Sequence, residues 1–251
     1  ASVASIALGN STLDNLAGPR DAGLIASGQL EITVGSACDA GVFQRAAEGC
    51  REIYHLAASV GVGLITSNPG ECLRNNVEGV INLIDAAVSQ PAPPRVVLFS
   101  SSEVYGKSAA LPLREDADLV LGPSDVSRWS YASGKLVGEV LALAEARRGR
   151  LPVTIVRCFN TCGPRQRGTY GMVVPRLLDQ ALGGVPLTVY GDGRQTRCFT
   201  FVGDVVGWVV SLAGNPAAIG EVVNLGNDRE TTILELAHAV EIDERDQGPE
   251  P

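Results

Sequence analysis

The chain has 251 residues, enough for one large domain or two small ones around a sizeable buried core. Apolar residues supply 45% and aromatics only 5%, which excludes wholesale disorder and argues against an aromatic stacking platform for nucleic acid. Lys and Arg number 20 against 28 Asp and Glu, a net charge of −8, whereas binding DNA or an anionic membrane surface needs clustered cations. No apolar run reaches membrane-span length, and residues 1–10 carry no basic leader segment. The six cysteines are scattered without a Cys-x-x-Cys pair, and only His55 and His238 could join them, so no metal site is expected. Reduced thiols in a cytoplasmic protein with neither nucleic-acid nor membrane partner are the expectation.

In chain order, residues 1–12 read as a poor strand, broken by Gly9-Asn10-Ser11-Thr12. The run 52–58 (Glu-Ile-Tyr-His-Leu-Ala-Ala) predicts a buried parallel strand. Residues 71–88 carry an apolar helical stripe through Val77, Val80, Ile81, Ile84, Ala87 and Val88. A Pro-rich break at 90–95 leads to a strand over 95–100, and a long loop covers 106–130. A helix over 131–148, a strand over 153–158, a helix over 174–183 and a short strand over 188–190 complete the pattern. The alternation predicts an α/β fold built on a doubly wound parallel sheet, with ligands beyond the carboxyl ends of strands ending near Ala58, Phe99 and Phe159.

Tyr131 and Lys135 stand one helical turn apart, so both side chains share a face. A phenol titrating near pH 10 is a poor base, and an ammonium one turn away favours the phenolate. Such a pair can take a proton from a sugar hydroxyl while hydride leaves. Upstream, Ser100-Ser101-Ser102-Glu103 follows the strand 95–100 directly, placing hydroxyls and a carboxylate at a strand end. Each motif alone is weak, since a Tyr-x-x-x-Lys turn is common on solvent-facing helices and a serine run often caps a turn. The combination in this order is far more specific.

With these residues in place, the sequence resembles the extended short-chain dehydrogenase/reductase family, the NAD-dependent nucleotide-sugar epimerases, dehydratases and decarboxylases. The resemblance runs over about residues 13–240. It is carried by Leu13-Asp14-Asn15-Leu16, His55-Leu56-Ala57-Ala58, Asn76-Val77-x-Gly79, Ser101-Ser102-Glu103-Val104-Tyr105-Gly106, Tyr131-x-x-x-Lys135, Arg157-x-Phe159-Asn160-x-x-Gly163-Pro164, Gly191-x-Gly193-x-Gln195-Thr196-Arg197 and Asn224-Leu225-Gly226-Asn227. It implies NAD as cofactor, held by Asp14 at the adenosine ribose, by Leu56, Ala57 and Ala58 at close backbone approach, by Asn76, and by Tyr131 and Lys135 at the nicotinamide end. It implies Ser101, Glu103, Tyr131 and Lys135 as the catalytic set. Ser102, Asn160, Val173, Val174 and Arg197 would meet a nucleotide-sugar substrate, a UDP-sugar first, with Arg197 neutralising a phosphate. No metal is implied, and a homodimer is.

The family pattern is broken in places. No Gly-x-x-Gly-x-x-Gly turn precedes Asp14, and Gly61-x-Gly63 and Gly191-x-Gly193 each have Thr (Thr66, Thr196) where a third glycine would stand. The first strand and its phosphate turn are therefore expected to be missing, with the chain starting inside the first βαβ unit. The resemblance divides the chain into a Rossmann-like NAD-binding domain, 1–162 and 199–224, and a partial, truncated sugar-nucleotide-binding domain, 163–198 and 225–251. Residues 241–251 are acidic, without apolar period, and are expected to be disordered. The slot Ser102-Glu103 lacks the Asp-Glu pair of the dehydratases. It resembles the UDP-glucuronate decarboxylases, in which transient oxidation at C4 makes a β-keto acid that loses carbon dioxide. Decarboxylation to UDP-xylose is the first expectation. A UDP-hexose or UDP-uronate 4-epimerase, or an inactive truncated relative, are the alternatives.

Overall fold

The computed structural model describes residues 3–7, 18, 22–166 and 171–246, with side chains among them from residue 18 to residue 241. Two parallel strands come first, β1 (Val3–Ala7) and β2 (Leu30–Val34), with Val3 opposite Leu30. Helix α1 (Ala40–Ala47) follows, its first turn capped by the Asp39 carboxylate, which accepts from the Val42 amide at 3.0 Å. Strand β3 (Glu52–His55), the short α2 (Val62–Ser67) and the long α3 (Pro69–Val88) come next, Pro69 standing at the first helical position where its missing N–H is not needed. Strand β4 (Arg95–Ser101) runs into a single 3-10 turn, Ser102–Tyr105. Helix α4 (Trp129–Arg147) and strand β5 (Val153–Cys158) complete the centre.

The remainder is made of shorter pieces. They are β6 (Thr161–Cys162), α5 (Val173–Leu182), β7 (Thr196–Arg197), β8 (Thr200–Phe201), α6 (Val202–Gly214), β9 (Val222–Leu225), β10 (Thr231–Thr232) and α7 (Ile233–Asp246).

Strands β3, β4, β5 and β9 form one parallel sheet in that order. Its strands read as apolar runs because both faces are covered. Val96 and Leu98 of β4, with Val153 and Ile155 of β5, point to one face and pack on Phe43, Val80, Leu83, Ala87 and Ala142 from α1, α3 and α4. Val97 of β4 and Val156 of β5 point to the other face and meet Val205, Val209 and Ala213 of α6. A third apolar cluster joins α5 to α7 through Leu177, Ala181, Ala237 and Val240. Each fully buried Val, Leu or Ile contributes about 1.5–3 kcal/mol, so the sheet is the main source of stability.

The pair β1–β2 stands apart from this sheet. A doubly wound sheet puts its first strand in the middle of the order 3-2-1-4-5-6. The break falls where that central strand belongs, and among the described residues β3 has β4 as its single strand neighbour. Among the described residues, no strand joins the pair β1–β2 to β3.

Other expectations need correction. Val3–Ala7 is a strand, because parallel pairing with β2 satisfies its backbone, although residues 1–12 read as a poor one. The run 52–58 stops being a strand at His55, and Leu56–Ala58 is loop. Residues 188–190 are not a strand; the Thr188 amide and hydroxyl are bonded by the Gln180 side chain instead. Helix α7 runs on to Asp246, so the first six residues of the segment expected to be disordered continue a helix whose apolar side is already packed; residues 247–251 lie outside the described residues.

Two glycines fix the helix pair that carries the candidate site. A Cβ on Gly134 would come within 3.2 Å of the Asn76 Cβ, and one on Gly138 within 3.2 Å of Val80. Their small size lets α4 lie close against α3, which brings Tyr131 and Lys135 over the carboxyl end of β4.

Candidate active site

The site grows from the last residues of β4. Ser101 is extended and caps the 3-10 turn, its hydroxyl accepting from the Glu103 amide at 3.3 Å. The turn ends at Gly106, whose φ is +62° and where an added Cβ would collide with the Val120 carbonyl, so no side chain fits. Ser101, Ser102 and Glu103 are thereby held at the sheet edge in a fixed order, with Glu103 exposed and Val104 and Tyr105 buried.

Tyr131 reaches this edge from the first turn of α4, where the Ser101 hydroxyl stands close enough to favour its phenolate. Burial pushes the phenol up to about 12; the Ser101 hydroxyl pulls the other way and the Glu103 charge adds to the rise. Lys135, one turn on, is buried and donates to the Phe99 carbonyl at 2.7 Å, its ammonium 5.9 Å from the Tyr131 ring centre. Burial brings it down to about 8, with Cys158, Cys72 and Glu139 opposing that fall. The expected lowering of the phenol by Lys135 is not seen, because the ammonium is engaged by Phe99 and both groups are desolvated.

The other expected residues divide into those that face the cleft and those that face the protein. Asn76 turns inward, its amide oxygen accepting from the Ser59 amide at 2.6 Å and its nitrogen donating to the Ser59 carbonyl at 3.2 Å. It therefore pins the loop after β3 rather than presenting a group to a ligand. That loop carries Leu56, which is exposed, and Ala57 and Ala58, which are half-buried, with Ala57 packed on the sheet core. Glu103 pairs with Arg128 at 3.4 Å, both side chains largely in solvent. Asn160, two residues beyond β5, holds a positive φ of 35° and donates to the Cys198 carbonyl at 3.1 Å, which ties it to the neighbour of Arg197. Arg197 is exposed, with one contact to its own strand at Thr196. Val173 and Val174 open α5 half-buried, and Val173 packs on the α5–α7 cluster. Asp14 lies outside the described residues.

A buried polar cluster beneath the site was missed by sequence reasoning. Glu139 and Arg157 form a two-pronged ion pair, Nε to Oε1 at 3.0 Å and Nη2 to Oε2 at 2.8 Å, with both side chains within about a twentieth of full burial. Ser100 also donates to Glu139. Arg157 donates onward to the Tyr105 hydroxyl at 2.9 Å, which donates to Asn224 at 2.8 Å. The signal was present: Glu139 continues the spacing Tyr131, Lys135 by one more turn, and Arg157, Tyr105 and Asn224 each lie in a recognised motif without a role.

Residues 10–226 match the NAD dependent epimerase/dehydratase family. The chain is 42% identical over 189 residues to UDP-N-acetyl-alpha-D-glucosaminuronate decarboxylase from Bacillus cytotoxicus, covering 75% of this chain and 57% of that protein. It is 39% identical over 189 residues to UDP-glucuronic acid decarboxylase 1 from Danio rerio, covering 75% and 44%. The chain thus spans about half the length of these curated relatives. Among solved structures, UDP-glucuronic acid 4-epimerase from Bacillus cereus, in complex with UDP-glucuronic acid and NAD, superposes with a TM-score of 0.82 at 27% identity, covering 97% of this chain and 75% of that one. The match covers most of the chain, and the chain belongs to the NAD dependent epimerase/dehydratase family.

Proposed function

We propose that the protein is an NAD-dependent nucleotide-sugar enzyme that oxidises its substrate transiently at C4, and that its reaction is decarboxylation of a UDP-linked uronate. The observation that carries this is the convergence of Ser101, Tyr131 and Lys135 at the carboxyl end of β4. The similarity to two uronate decarboxylases supports this reaction. The 4-epimerase likeness supports 4-epimerisation as the second reading, since both reactions share the same first step.

The residues present fit the nicotinamide end of the cofactor. Lys135 is a buried cation that, among the described residues, donates to one backbone carbonyl, so a ribose hydroxyl can share it. The loop bearing Leu56, Ala57 and Ala58 is short of bulk and is held from behind by Asn76. NAD would supply the hydride acceptor and, in its oxidised form, a positive ring at this edge.

The protein's own contribution follows from the geometry. Ser101 holds the sugar C4 hydroxyl against Tyr131, and the phenolate takes that proton. Lys135 supplies the positive charge behind the phenolate, which the buried phenol otherwise lacks. Oxidised at C4, a uronate is a β-keto acid and loses carbon dioxide as the electrons pass to the new carbonyl. Glu103 at the open lip, with Arg128 beside it, is placed to return a proton to the carbon left behind. Asn160 and Arg197 meet the diphosphate on the far side of β5, and Val173 and Val174 the nucleobase. Asp14 belongs to the adenosine ribose. Division into a larger NAD-binding unit and a smaller sugar-nucleotide unit is part of the same reading. So is a homodimer, for which the exposed apolar Ile81 of α3 and Val137 and Val140 of α4 offer a shared face. The six free thiols support a reducing, cytoplasmic setting. No helix among the described residues is long and apolar enough to cross a membrane.

The test is a product mass spectrum after incubation with NAD, UDP-glucuronate, UDP-N-acetylglucosaminuronate and UDP-glucose together. Loss of carbon dioxide from a uronate with the glucose unchanged supports the decarboxylase. Formation of UDP-galactose, or of a uronate isomer without mass loss, selects the epimerase, and no change in any sugar rejects both. Tyr131→Phe should lower turnover by about 10²–10⁴-fold while NAD still binds.

A further inference from the structure

We infer that the Glu139–Arg157 ion pair positions the catalytic edge, Glu139 setting both the placement of Ser101 and the charge of Lys135. The inference rests on the proposed C4 oxidation. Tyr131, Lys135 and Glu139 stand at successive turns on one face of α4, so the three side chains form a single column. The lowest of them is joined to four other elements. Glu139 accepts from Ser100 at the end of β4 and from Arg157 of β5. Arg157 donates to Tyr105 of the 3-10 turn and to the Glu115 carbonyl at 3.2 Å. Tyr105 reaches Asn224 of β9, whose amide donates to the Glu115 carboxylate at 2.9 Å.

Ser100 and Tyr105 bracket Ser101, Ser102 and Glu103. One buried carboxylate therefore anchors, directly or through Arg157, both ends of the segment that carries the hydroxyls. A structural ion pair needs none of this, because Glu139 and Arg157 already satisfy each other in two-pronged geometry. The added bond to Ser100, next to the catalytic hydroxyl, ties the pair to the site.

The charged and titratable groups around Lys135 are Cys158 on β5, Cys72 on α3, His55 on β3, and Tyr131 and Glu139 on its own helix. Glu139 is the carboxylate among them. It favours the ammonium against its burial, so the cation that must back a phenolate depends on it.

The experiment uses the chain's two lysines, Lys107 and Lys135. Lysine labelled with carbon-13 at Cε gives two signals, and the one that titrates near pH 8 is Lys135. Glu139→Gln should move that midpoint lower while Lys107 stays in place. Turnover should fall about 10²-fold with the substrate KM within about threefold, as expected for misplacement rather than lost binding. Glu139→Asp keeps the charge at shorter reach, so it should hold the Lys135 midpoint and still lose turnover. Should Glu139→Gln fail to fold, Ser100→Ala cuts the same link while sparing the ion pair and should lower turnover about tenfold at unchanged KM. An unmoved Lys135 midpoint in a folded Glu139→Gln, or wild-type turnover in Ser100→Ala, overturns the inference. The titration needs no substrate, so it still reports if the wild-type chain turns over none of the tested sugars, a result that sinks the functional reading by itself.

Discussion

The sheet β3–β4–β5–β9 and the pair β1–β2 follow the same parallel pairing rule, yet they are held in different ways. In β5 the five residues from Val153 to Arg157 are all buried, apolar helices cover both faces, and the one charge among them is paired. In β2 only Leu30 is buried, and Val34 is 67% exposed. The candidate site stands on the first kind of structure. Burial on two faces makes a strand insensitive to what happens at its ends, whereas a pair of strands with one covered side depends on its neighbours.

The largest effect expected on this contrast comes from Arg157→Met, which leaves Glu139 buried without its cation. Breaking a buried pair from one side costs about 3–5 kcal/mol, read as a lower urea midpoint at unchanged slope. Replacing Glu139 by Leu at the same time should recover most of that loss, since no charge is then stranded. A single Arg157→Met variant within about 1 kcal/mol of wild type would show that water reaches Glu139 and that the sheet is less closed than its burial indicates.

Next in size is a matched pair of truncations. Ile155→Ala removes a fully buried side chain and should destabilise by about 3 kcal/mol, while Val34→Ala at the open end of β2 should stay within about 0.5 kcal/mol. Equal losses at the two positions would erase the distinction between the two sheets.

How much was legible beforehand follows the same line. Strand β5 was read with its correct ends, and β4, α3, α4 and α5 were each placed to within two residues, because their apolar runs are dictated by a two-sided core. Ser101, Tyr131 and Lys135 were legible because their spacing places them together on any such sheet. Strand β1 was not, since its pairing with β2 is a long-range match that the residues Val3–Ala7 do not advertise. Residues 188–190 alternate like a strand, but the side chain of Gln180 supplies the backbone partner that a neighbouring strand would have offered. The inward turn of Asn76 was invisible for a related reason: an amide on a helix reads the same whether it meets a cofactor or the loop next door. Glu139 and Arg157 are 18 residues apart, and their pairing exists only once α4 is folded back over β5.

The smallest expected effect concerns His55, at the end of the strand that borders the gap between the two sheets. Its ring is buried against Phe43 and beside Gly79, and its Nε2 has no hydrogen-bond partner. Burial, with Lys135 adding to it, brings the imidazole down to about 3 from its ordinary 6.5. The unfolded chain therefore binds a proton near pH 6.5 that the folded chain refuses until about pH 3. The stability this contributes is complete above pH 6.5 and drains away as the pH falls, by about 2 kcal/mol at pH 5. The other histidine, His238, is largely exposed and does not share this burial. Urea unfolding at pH 7 and pH 5 measures the loss directly. His55→Leu keeps the volume and removes the proton site, so its stability should change less between the two pH values, whereas Ile155→Ala should keep the wild-type difference. An unchanged difference in His55→Leu would place the acid sensitivity elsewhere and would mean that water enters at the edge of β3, which among the described residues has a strand on one side.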